Sequence, residues 1–300
     1  MSRKLVSFDW AMKKILRQKA NFVILEGFLT ELLKFDVKIE EVLESEANQE
    51  NEEDKFNRVD LLAKNENGQL ILIEVQYSSE IDYFQRMLYG SSKLITEYIS
   101  KGDSGYKNIK KVYSVNIVYF ALGQGKDYVY YGKTEFKGLY KKEDILKPSK
   151  RQQEDFCIDT VADIYPEYYI LRVNQFNDIA KNSLDEWIYF LKNEEIKSDF
   201  KAKGLSEAKE TLDIMKLDDK ARAIYKRREE NKMYKASLLY TAKLKGIKEG
   251  EKRGIKKGKK EGEKKKAIEI AKNLLLANME IEFICKTTGL SIEEIKELRG

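Results

Sequence analysis

Residues 59–76 have the sequence VDLLAKNENGQLILIEVQ, in which two apolar segments flank the polar tetrapeptide NENG. Its Asn-Gly pair favours a tight turn with positive φ angles, so the two apolar segments are predicted to pair as a β-hairpin. Side chains alternate between the faces of a strand, which places Glu74 and Gln76 on one face and lets pairing bring Asp60 near them. The sequence therefore predicts a small group of three polar side chains on this hairpin.

The second strand of the hairpin is apolar on both of its faces. Leu70 and Leu72 alternate with Ile71 and Ile73, a pattern typical of a strand that is covered on both sides. Acids on hairpins are usually solvated or paired with Lys or Arg, which is the default explanation for these three residues taken alone. A buried carboxylate is costly unless it meets a cation. A solvated acid and a metal ligand are therefore both open explanations for Glu74.

Composition excludes several kinds of chemistry. The 300 residues contain no histidine, which rules out His-based catalytic triads and His-ligated zinc. Cys157 and Cys285 are far apart and lack metal-site spacing, so we expect free thiols in a reducing compartment. No apolar run approaches the roughly 20 residues that a membrane span needs. We expect one large domain or two of ordinary size in a soluble, cytoplasmic protein that does not bind membranes.

The order of apolar patterns along the chain predicts an α/β protein with a mixed sheet and flanking helices. Two helices come first: one begins near Asp9 as a possible N-cap, and the other has an apolar face in NFVILEGFLTELLKF. The hairpin, a helix over YFQRMLYGSSKLITEYISKG and the strands KVYSVNIVYFAL and DYVYYGKTEF follow. We expect four regions: a sheet domain (1–195), a helical connector (196–245), a Gly/Lys/Glu-rich basic linker or helix (246–266) and a small helix-turn-helix-like motif (267–300).

The basic charge of the chain is concentrated near its end. Lys243 to Lys266 contain twelve basic and four acidic residues, a net +8, which leaves −3 for the remainder of a chain whose total is +5. Glycine recurs there every four residues, which weakens a helix and predicts either a solvated linker or pairing with another helix, as in a homo-oligomer. Sequence-independent contacts to DNA phosphates are predicted for the basic side chains, among them Lys252, Arg253, Lys256 and Lys257. The last helices bind DNA or pack on a partner, and the acidic final helix favours packing.

Several motifs together resemble a known nuclease family. An acid on one strand, followed across a hairpin by Glu-Val-Gln, resembles the PD-(D/E)XK signature with Gln in place of the usual Lys. The ordered set FDWAMKKIL, ILEGFL, KFNRVDLL, LILIEVQ and YFQRMLYGSSKLI is similar to the Rpn family of recombination-promoting nucleases and transposases over roughly residues 8–190. The resemblance implies a restriction-endonuclease-like mixed sheet flanked by helices, with an α-helical C-terminal extension.

The resemblance also implies a metal site. Asp60 and Glu74 would hold Mg²⁺, with Mn²⁺ as an alternative, and the backbone carbonyl of Val75 would join them. Gln76 would stand where most relatives carry Lys to orient the attacking water. A neutral amide positions water but stabilises charge less than an ammonium does, so a lower rate is expected.

Other residues receive roles through the same resemblance. Nucleases of this fold often have a supporting acid on the first core helix, and Glu26 is the candidate, with a solvated acid as an equal alternative. The helix after the hairpin would flank the active site, where Gln85, Arg86 and Tyr89 are candidate DNA-binding residues. An ordinary surface role for Arg86 is almost as well supported.

The predicted function is a metal-dependent DNA endonuclease that hydrolyses phosphodiester bonds, linked to DNA recombination or mobile-element activity. The alternative is a catalytically weak or inactive DNA-binding or protein-interaction protein on the same scaffold. Two features favour that alternative: the amide of Gln76 and the acidic segment Glu44–Asp54.

Overall fold

The computed structural model describes residues 5–43, 60–98 and 106–299, and the acidic segment Glu44–Asp54 lies outside these ranges. Two compact units are present, the first ending at Tyr225 and the second beginning at Lys226. The elements in chain order are α1 (Phe8–Lys14), α2 (Phe22–Leu33), β1 (Ile39–Leu43), β2 (Leu61–Asn65), β3 (Leu70–Gln76), α3 (Tyr83–Glu97), β4 (Val112–Val118), β5 (Val129–Gly132), α4 (Lys150–Phe156), β6 (Glu167–Arg172), α5 (Ser183–Asn193), α6 (Leu205–Thr211), α7 (Asp219–Leu276), α8 (Ile281–Thr288) and α9 (Ile292–Arg299).

In the described part of the chain, six strands form one mixed sheet in the order β1-β2-β3-β4-β6-β5. The strands β1, β2 and β3 pair antiparallel, whereas β3, β4 and β6 run parallel to one another. The short strand β5 completes the edge by pairing antiparallel with β6. The central strand β4 is buried along its whole length, as expected for a parallel strand covered on both faces. The predicted mixed sheet with flanking helices and a helical C-terminal extension is confirmed.

The strands β2 and β3 form the predicted hairpin. Gly68 has a φ angle of 71°, and its N–H donates a 2.8 Å hydrogen bond to the carbonyl oxygen of Asn65, which closes the turn. Leu61 lies opposite Ile73 in the antiparallel register. One further step along this register places Asp60 opposite Glu74, so the two acids belong to neighbouring strands at one end of the hairpin.

The two faces of β3 pack against different helices. Ile73 belongs to the main core, which also contains residues of α1, α2 and α5. Leu72, on the opposite face, packs with Leu94 of α3. Because side chains alternate along a strand, Glu74 and Gln76 continue the face of Leu72 toward the carboxyl end of β3.

The helix α1 is fixed in the core by its aromatic side chains. The ring of Phe8 makes edge contacts with Phe28 and Trp187 at centroid distances of 5.4 and 6.1 Å. Trp10 lies 5.3 Å from the ring of Tyr225. Such pairs contribute about 0.5–1.5 kcal/mol each beyond area burial, so α1 has a well-determined position.

Asp9 does not cap α1, contrary to the sequence-based expectation. The helix begins at Phe8 with Ser7 in the capping position, and Asp9 lies in the first turn. Asp9 is buried, and its Oδ1 accepts a 3.2 Å hydrogen bond from the hydroxyl of Tyr77. Its carboxylate therefore faces the residue that follows β3 instead of the backbone of its own helix.

The apolar face predicted for α2 is confirmed. The residues that share this face are all buried: Phe22, Leu25, Phe28, Leu29 and Leu32. Beside this face, a Cβ added to Gly27 would lie 2.2 Å from the carbonyl oxygen of Lys203. Only glycine allows such a close approach of two backbones. Buried Leu205 and Ala208 of α6 join the same core, so the first compact unit continues beyond residue 195, where we expected the sheet domain to end.

The second unit contains a small core at its carboxyl end. Ala271, Ile284, Leu290 and Ile295 are buried together where α7, α8 and α9 meet. A capping box precedes α9: Glu294 N–H donates to Ser291 Oγ at 3.2 Å, and Ser291 N–H donates to Glu294 Oε2 at 3.0 Å. The expected helix-turn-helix-like arrangement thus has a physical core of its own.

The glycine repeat lies inside α7, and the helix is continuous through it. Added Cβ atoms would meet nothing within 4 Å at Gly246, Gly250, Gly254, Gly258 or Gly262. Space within the described chain therefore does not explain these glycines. Within the described ranges, no helix combines the length and apolar character needed to cross a membrane.

Candidate active site

Asp60 immediately precedes β2 and is buried, with 8% of its surface exposed. Its Oδ2 accepts a 2.7 Å hydrogen bond from the backbone N–H of Val75, which ties the carboxylate to β3. Its Oδ1 lies 2.5 Å from Nζ of Lys13 on α1. Its backbone carbonyl accepts a 3.1 Å hydrogen bond from Nη2 of Arg17. Asp60 is therefore held where β2, β3 and the first helix meet.

Glu74 on β3 is buried with an incomplete set of partners. It is 6% exposed, and its Oε2 has no hydrogen-bond partner among the described residues. Nε of Arg86 lies 3.6 Å from this oxygen, which is close enough for attraction but too far for a good hydrogen bond. Burial raises the pKa of Glu74 to about 7; Arg86 opposes the rise, and the carboxylates of Asp60 and Glu80 add to it. The site thus contains negative charge that is only partly compensated.

The donor atoms at this site suit a hard divalent cation. Carboxylate oxygens are the preferred ligands of Mg²⁺ and Mn²⁺, and Glu74 Oε2 is a buried carboxylate oxygen without a hydrogen bond. Among residues 5–43, 60–98 and 106–299, no three Asp, Glu or Cys side chains cluster as a metal-binding group. A pair of carboxylates leaves coordination positions for a backbone carbonyl, water and substrate oxygens, a mixture that Mg²⁺ commonly keeps. The chemistry of this carboxylate pair therefore fits a divalent metal.

Gln76 lies two residues beyond Glu74 on the same face and takes part in a polar chain. Its Nε2 donates a hydrogen bond to Oε1 of Glu80. Glu80 in turn accepts hydrogen bonds of 2.9 and 3.0 Å from Nη1 of Arg86. Hydrogen bonds and one ion pair thus connect four side chains around the end of β3, in the order Gln76, Glu80, Arg86 and Glu74.

The three candidate DNA-binding residues on α3 point in different directions. Arg86 is directed inward to the acids Glu74 and Glu80. Gln85 and Tyr89 are exposed on the outer side of the helix, one turn apart as the spacing predicts. Their contacts with DNA stay predictions, and Arg86 has a second role in balancing the charge of the site.

The structure does not bring Glu26 to the other two acids. Its Oε1 accepts a 2.9 Å hydrogen bond from the N–H of Ile39, and its Oε2 accepts one of 3.2 Å from Lys38. Ile39 pairs with Asn65, at the end of β2 farthest from Asp60. These partners satisfy Glu26 where β1 begins, so its burial has a structural explanation away from the candidate metal site.

Sequence reasoning missed five residues that contact or border the predicted ones: Lys13, Arg17, Glu80, Tyr83 and Asn116. Lys13 and Glu80 contact the predicted residues directly, as described above. Asn116 of β4 lies opposite Glu74 in the parallel register, and its Oδ1 accepts a 3.2 Å hydrogen bond from the hydroxyl of buried Tyr83. One signal was available: Asn116 is a polar amide in the otherwise apolar strand VYSVNIV. Lys13 and Glu80 carry no such signal, because charged residues in a helix or a loop are ordinarily solvated.

The candidate DNA-binding residues of the tail lie on α7 in the second unit. Lys252, Arg253, Lys256 and Lys257 are all exposed. Two of them have long intrahelical ion pairs: Arg253 lies 3.7 Å from Glu249, and Lys257 lies 3.8 Å from Glu261. Exposed pairs of this kind are weak, so the cationic groups remain accessible to an anionic partner.

Comparison with known proteins gives a family match within the first unit. Residues 6–143 match the family model described as PD-(D/E)XK nuclease family transposase, and this range contains Asp60, Glu74 and Gln76. No curated protein and no solved structure matches the chain significantly. Nucleases of this kind generally use divalent metals. The finer Rpn identification stays a prediction. The segment from residue 6 to residue 143 is therefore similar to the PD-(D/E)XK nuclease family transposases.

Proposed function

We propose that the protein is a metal-dependent DNA endonuclease that acts in recombination or in the movement of a mobile element. The carrying observation is the carboxylate pair at the end of the hairpin, in which buried Glu74 lies opposite Asp60 and has an oxygen that no described residue hydrogen-bonds. Such an arrangement is costly unless a cation compensates it. Its position inside the family-matched segment supports a nuclease function for that cation.

The reaction would be hydrolysis of a phosphodiester. Water adds to phosphorus, one P–O ester bond breaks, and the leaving sugar oxygen takes up a proton. A bound Mg²⁺ or Mn²⁺ supplies positive charge at the phosphate and lowers the pKa of coordinated water. Asp60 and Glu74 would hold this ion together with the carbonyl of Val75. Gln76 would orient the attacking water through its amide group.

A binding protein on the same scaffold is the second candidate. Gln76 brings no positive charge to β3, and no third acidic ligand joins Asp60 and Glu74 within the described residues. Both observations favour weak cleavage or none. The two candidates differ in whether the carboxylates are needed for turnover or only shape a surface.

Plasmid cleavage by the purified full-length protein tests the proposal. We expect cleavage with Mg²⁺ or Mn²⁺ and none with EDTA. Asp60→Asn and Glu74→Gln remove ligand charge with little change in volume, so each should lower the rate at least about 100-fold. Glu26→Gln is the matched control, because this acid of α2 is also buried but contacts Ile39, which pairs with the end of β2 farthest from Asp60.

Wild-type cleavage that persists in Asp60→Asn would reject the proposed site. DNA binding by a wild type that cleaves with neither metal would favour the binding protein. Circular dichroism and thermal melting of each variant would show whether the fold is intact, which separates loss of chemistry from loss of structure.

The basic part of α7 is proposed to recruit DNA to the nuclease unit. Replacing Lys252, Arg253, Lys256 and Lys257 with Gln should weaken binding and reduce the slope of log K against log salt by about 0.9 per lost phosphate contact. Cleavage at saturating DNA should persist. Truncation after residue 240 should have the same effect on the slope.

A control variant removes an equal charge from the first unit by placing Gln at Lys141, Lys142, Lys147 and Lys150, which are all exposed. A salt slope that is unchanged in the α7 variant would contradict DNA recruitment. Light scattering also gives the number of chains per particle. Fewer chains per particle in the truncated protein than in the full-length protein would instead support homo-oligomerisation through the C-terminal helices.

A further inference from the structure

The third position of the Glu-Val-Gln motif carries no positive charge. Gln76 occupies it, and its amide nitrogen already donates to Glu80. An amide can orient water, but it does little to stabilise the negative charge that develops on a phosphate under attack. Efficient cleavage at this strand would therefore use a cationic group from another element.

Lys13 of α1 brings an ammonium group to the carboxylate pair. Its Nζ lies 2.5 Å from Oδ1 of Asp60, and its side chain is 46% exposed. The other oxygen of Asp60 is bound to the N–H of Val75. The ammonium therefore sits on the side of the carboxylate that reaches solvent, from which a DNA phosphate can approach.

Two other cationic side chains near the acids among the described residues, Arg86 and Arg17, are directed to other acceptors, although the Nε of each has no hydrogen-bond partner there. Arg86 donates through Nη1 to both carboxylate oxygens of Glu80. Arg17 donates to the backbone carbonyl of Asp60. An ammonium has three donor hydrogens, so Lys13 can keep its contact with Asp60 and still bind a phosphate oxygen.

The backbone of Lys13 is held rigidly enough for such a role. The preceding residues Phe8, Trp10, Ala11 and Met12 are all buried in the main core. A side chain presented from a packed helix is positioned more accurately than one presented from a loop.

We propose that Lys13 is a catalytic residue, which contacts the scissile phosphate beside Asp60 and Glu74 and replaces in space the lysine that β3 lacks. Its role is to stabilise charge, and it transfers no proton during hydrolysis. This assignment rests on the proposed nuclease function and adds the source of its positive charge.

Single substitutions in the full-length protein give the first test. Lys13→Gln should lower the single-turnover rate at saturating plasmid DNA by about 100-fold, the usual effect of removing a group that stabilises developing charge. Lys13→Arg should retain part of the rate. Lys14→Gln is the matched control, since this neighbouring lysine is also exposed, and it should cleave like the wild type.

Moving the ammonium back to β3 gives the second test. The double variant Lys13→Gln with Gln76→Lys should recover most of the lost rate, because charge is restored beside the same carboxylates. A slow Lys13→Gln that Gln76→Lys fails to rescue would overturn the assignment. In that case the loss would come from a displaced Asp60 and not from the missing ammonium.

Metal binding gives a readout that does not depend on turnover. Calorimetry with Mn²⁺ should show that Lys13→Gln binds at least as tightly as the wild type, because a cation next to the ligands has been removed. Weaker binding would make Lys13 a positioning residue for Asp60 and overturn the proposal. Wild-type cleavage with an equally active Lys13→Gln would overturn this assignment alone, whereas an inactive wild type would overturn it together with the nuclease function.

Discussion

Two buried charged side chains lie at opposite ends of neighbouring strands, and they differ in how well they are satisfied. Lys111, just before β4, donates to the carbonyl oxygens of Ala162 and Tyr165 at 2.6 and 2.8 Å and to Glu167 at 2.8 Å. Glu74, at the carboxyl end of β3, is just as buried but has an oxygen without a hydrogen bond among the described residues.

The difference separates a buried charge that is satisfied by protein contacts from one that is not. All three ammonium hydrogens of Lys111 have acceptors, so its burial is compensated within the protein. Burial and the neighbouring acids raise the free energy of the ionised Glu74 carboxylate. Proteins tolerate such a cost where a ligand or a substrate uses the charge. Glu26, with its backbone and Lys38 partners, resembles Lys111 in this respect.

Removing the satisfied charge should have the largest effect on stability. Lys111→Met leaves the carboxylate of Glu167 and two carbonyl oxygens without their donor, and breaking a buried pair in this way costs about 3–5 kcal/mol. Urea denaturation would measure this loss. Lys110→Met is the control, because Lys110 is exposed, and equal stability of the two variants would show that the Lys111 contacts contribute little.

Removing the unsatisfied charge of Glu74 should increase the free energy of unfolding above neutral pH, whereas removing the charge of Lys111 decreases it. Because the folded protein binds the Glu74 proton more tightly than the unfolded chain does, its contribution to stability is complete below the ordinary pKa of 4.5 and is lost as pH rises through about 7. The full span is roughly 3 kcal/mol. In EDTA, Glu74→Gln should therefore be more stable than the wild type above pH 7 and should lack this part of the pH dependence.

The pH comparison has a direct control in Glu26→Gln, which keeps the Glu74 titration. Denaturation curves of the wild type, Glu74→Gln and Glu26→Gln would be measured between pH 4.5 and pH 8, a range that spans the titration of Glu74. The free energy of unfolding of each variant would be subtracted from that of the wild type at the same pH, which cancels the groups that titrate in all three proteins. If Glu74→Gln is less stable than the wild type at pH 8, then Glu74 is adequately satisfied and the contrast with Lys111 is wrong.

Substitutions of Gln76 should have the smallest effect of those compared, and the quantity they change is the cleavage rate. Gln76→Ala removes the hydrogen bond to Glu80 and the proposed contact with water, so the cleavage rate should fall about tenfold, the equivalent of one hydrogen bond. Gln76→Lys should match or exceed the wild-type rate. Single-turnover cleavage at saturating DNA measures both variants, and an alanine variant as fast as the wild type would remove Gln76 from the mechanism.

The sequence was most informative where a pattern is local. The Asn-Gly turn and the alternation along β3 predicted the hairpin and the shared face of Glu74 and Gln76. These features depend on neighbouring residues, and the structure reproduces them. The apolar face of α2 was predictable for the same reason.

The sequence was least informative where distant segments meet. Lys13 is one of two adjacent lysines, and only the packing of Phe8 and Trp10 determines which of them faces Asp60. Glu26 depends on tertiary contacts in the same way: its sequence left a supporting acid and a solvated acid equally open, and its hydrogen bond from Ile39 forms only where α2 meets the start of β1. Such assignments depend on tertiary contacts that no periodicity encodes.

The close approach of Gly27 and Lys203 has a practical consequence for anyone who wishes to isolate the nuclease unit. A fragment that ends near residue 195 would lack the carbonyl oxygen of Lys203, which accepts a 3.2 Å hydrogen bond from the indole of Trp187, and would leave the backbone at Gly27 uncovered. It would also lack Tyr225, whose hydroxyl accepts a hydrogen bond from Ser7 N–H at 3.3 Å. Cloning boundaries placed after Tyr225 would retain all these contacts and are the better starting point for crystallisation or for fusing the unit to a different protein.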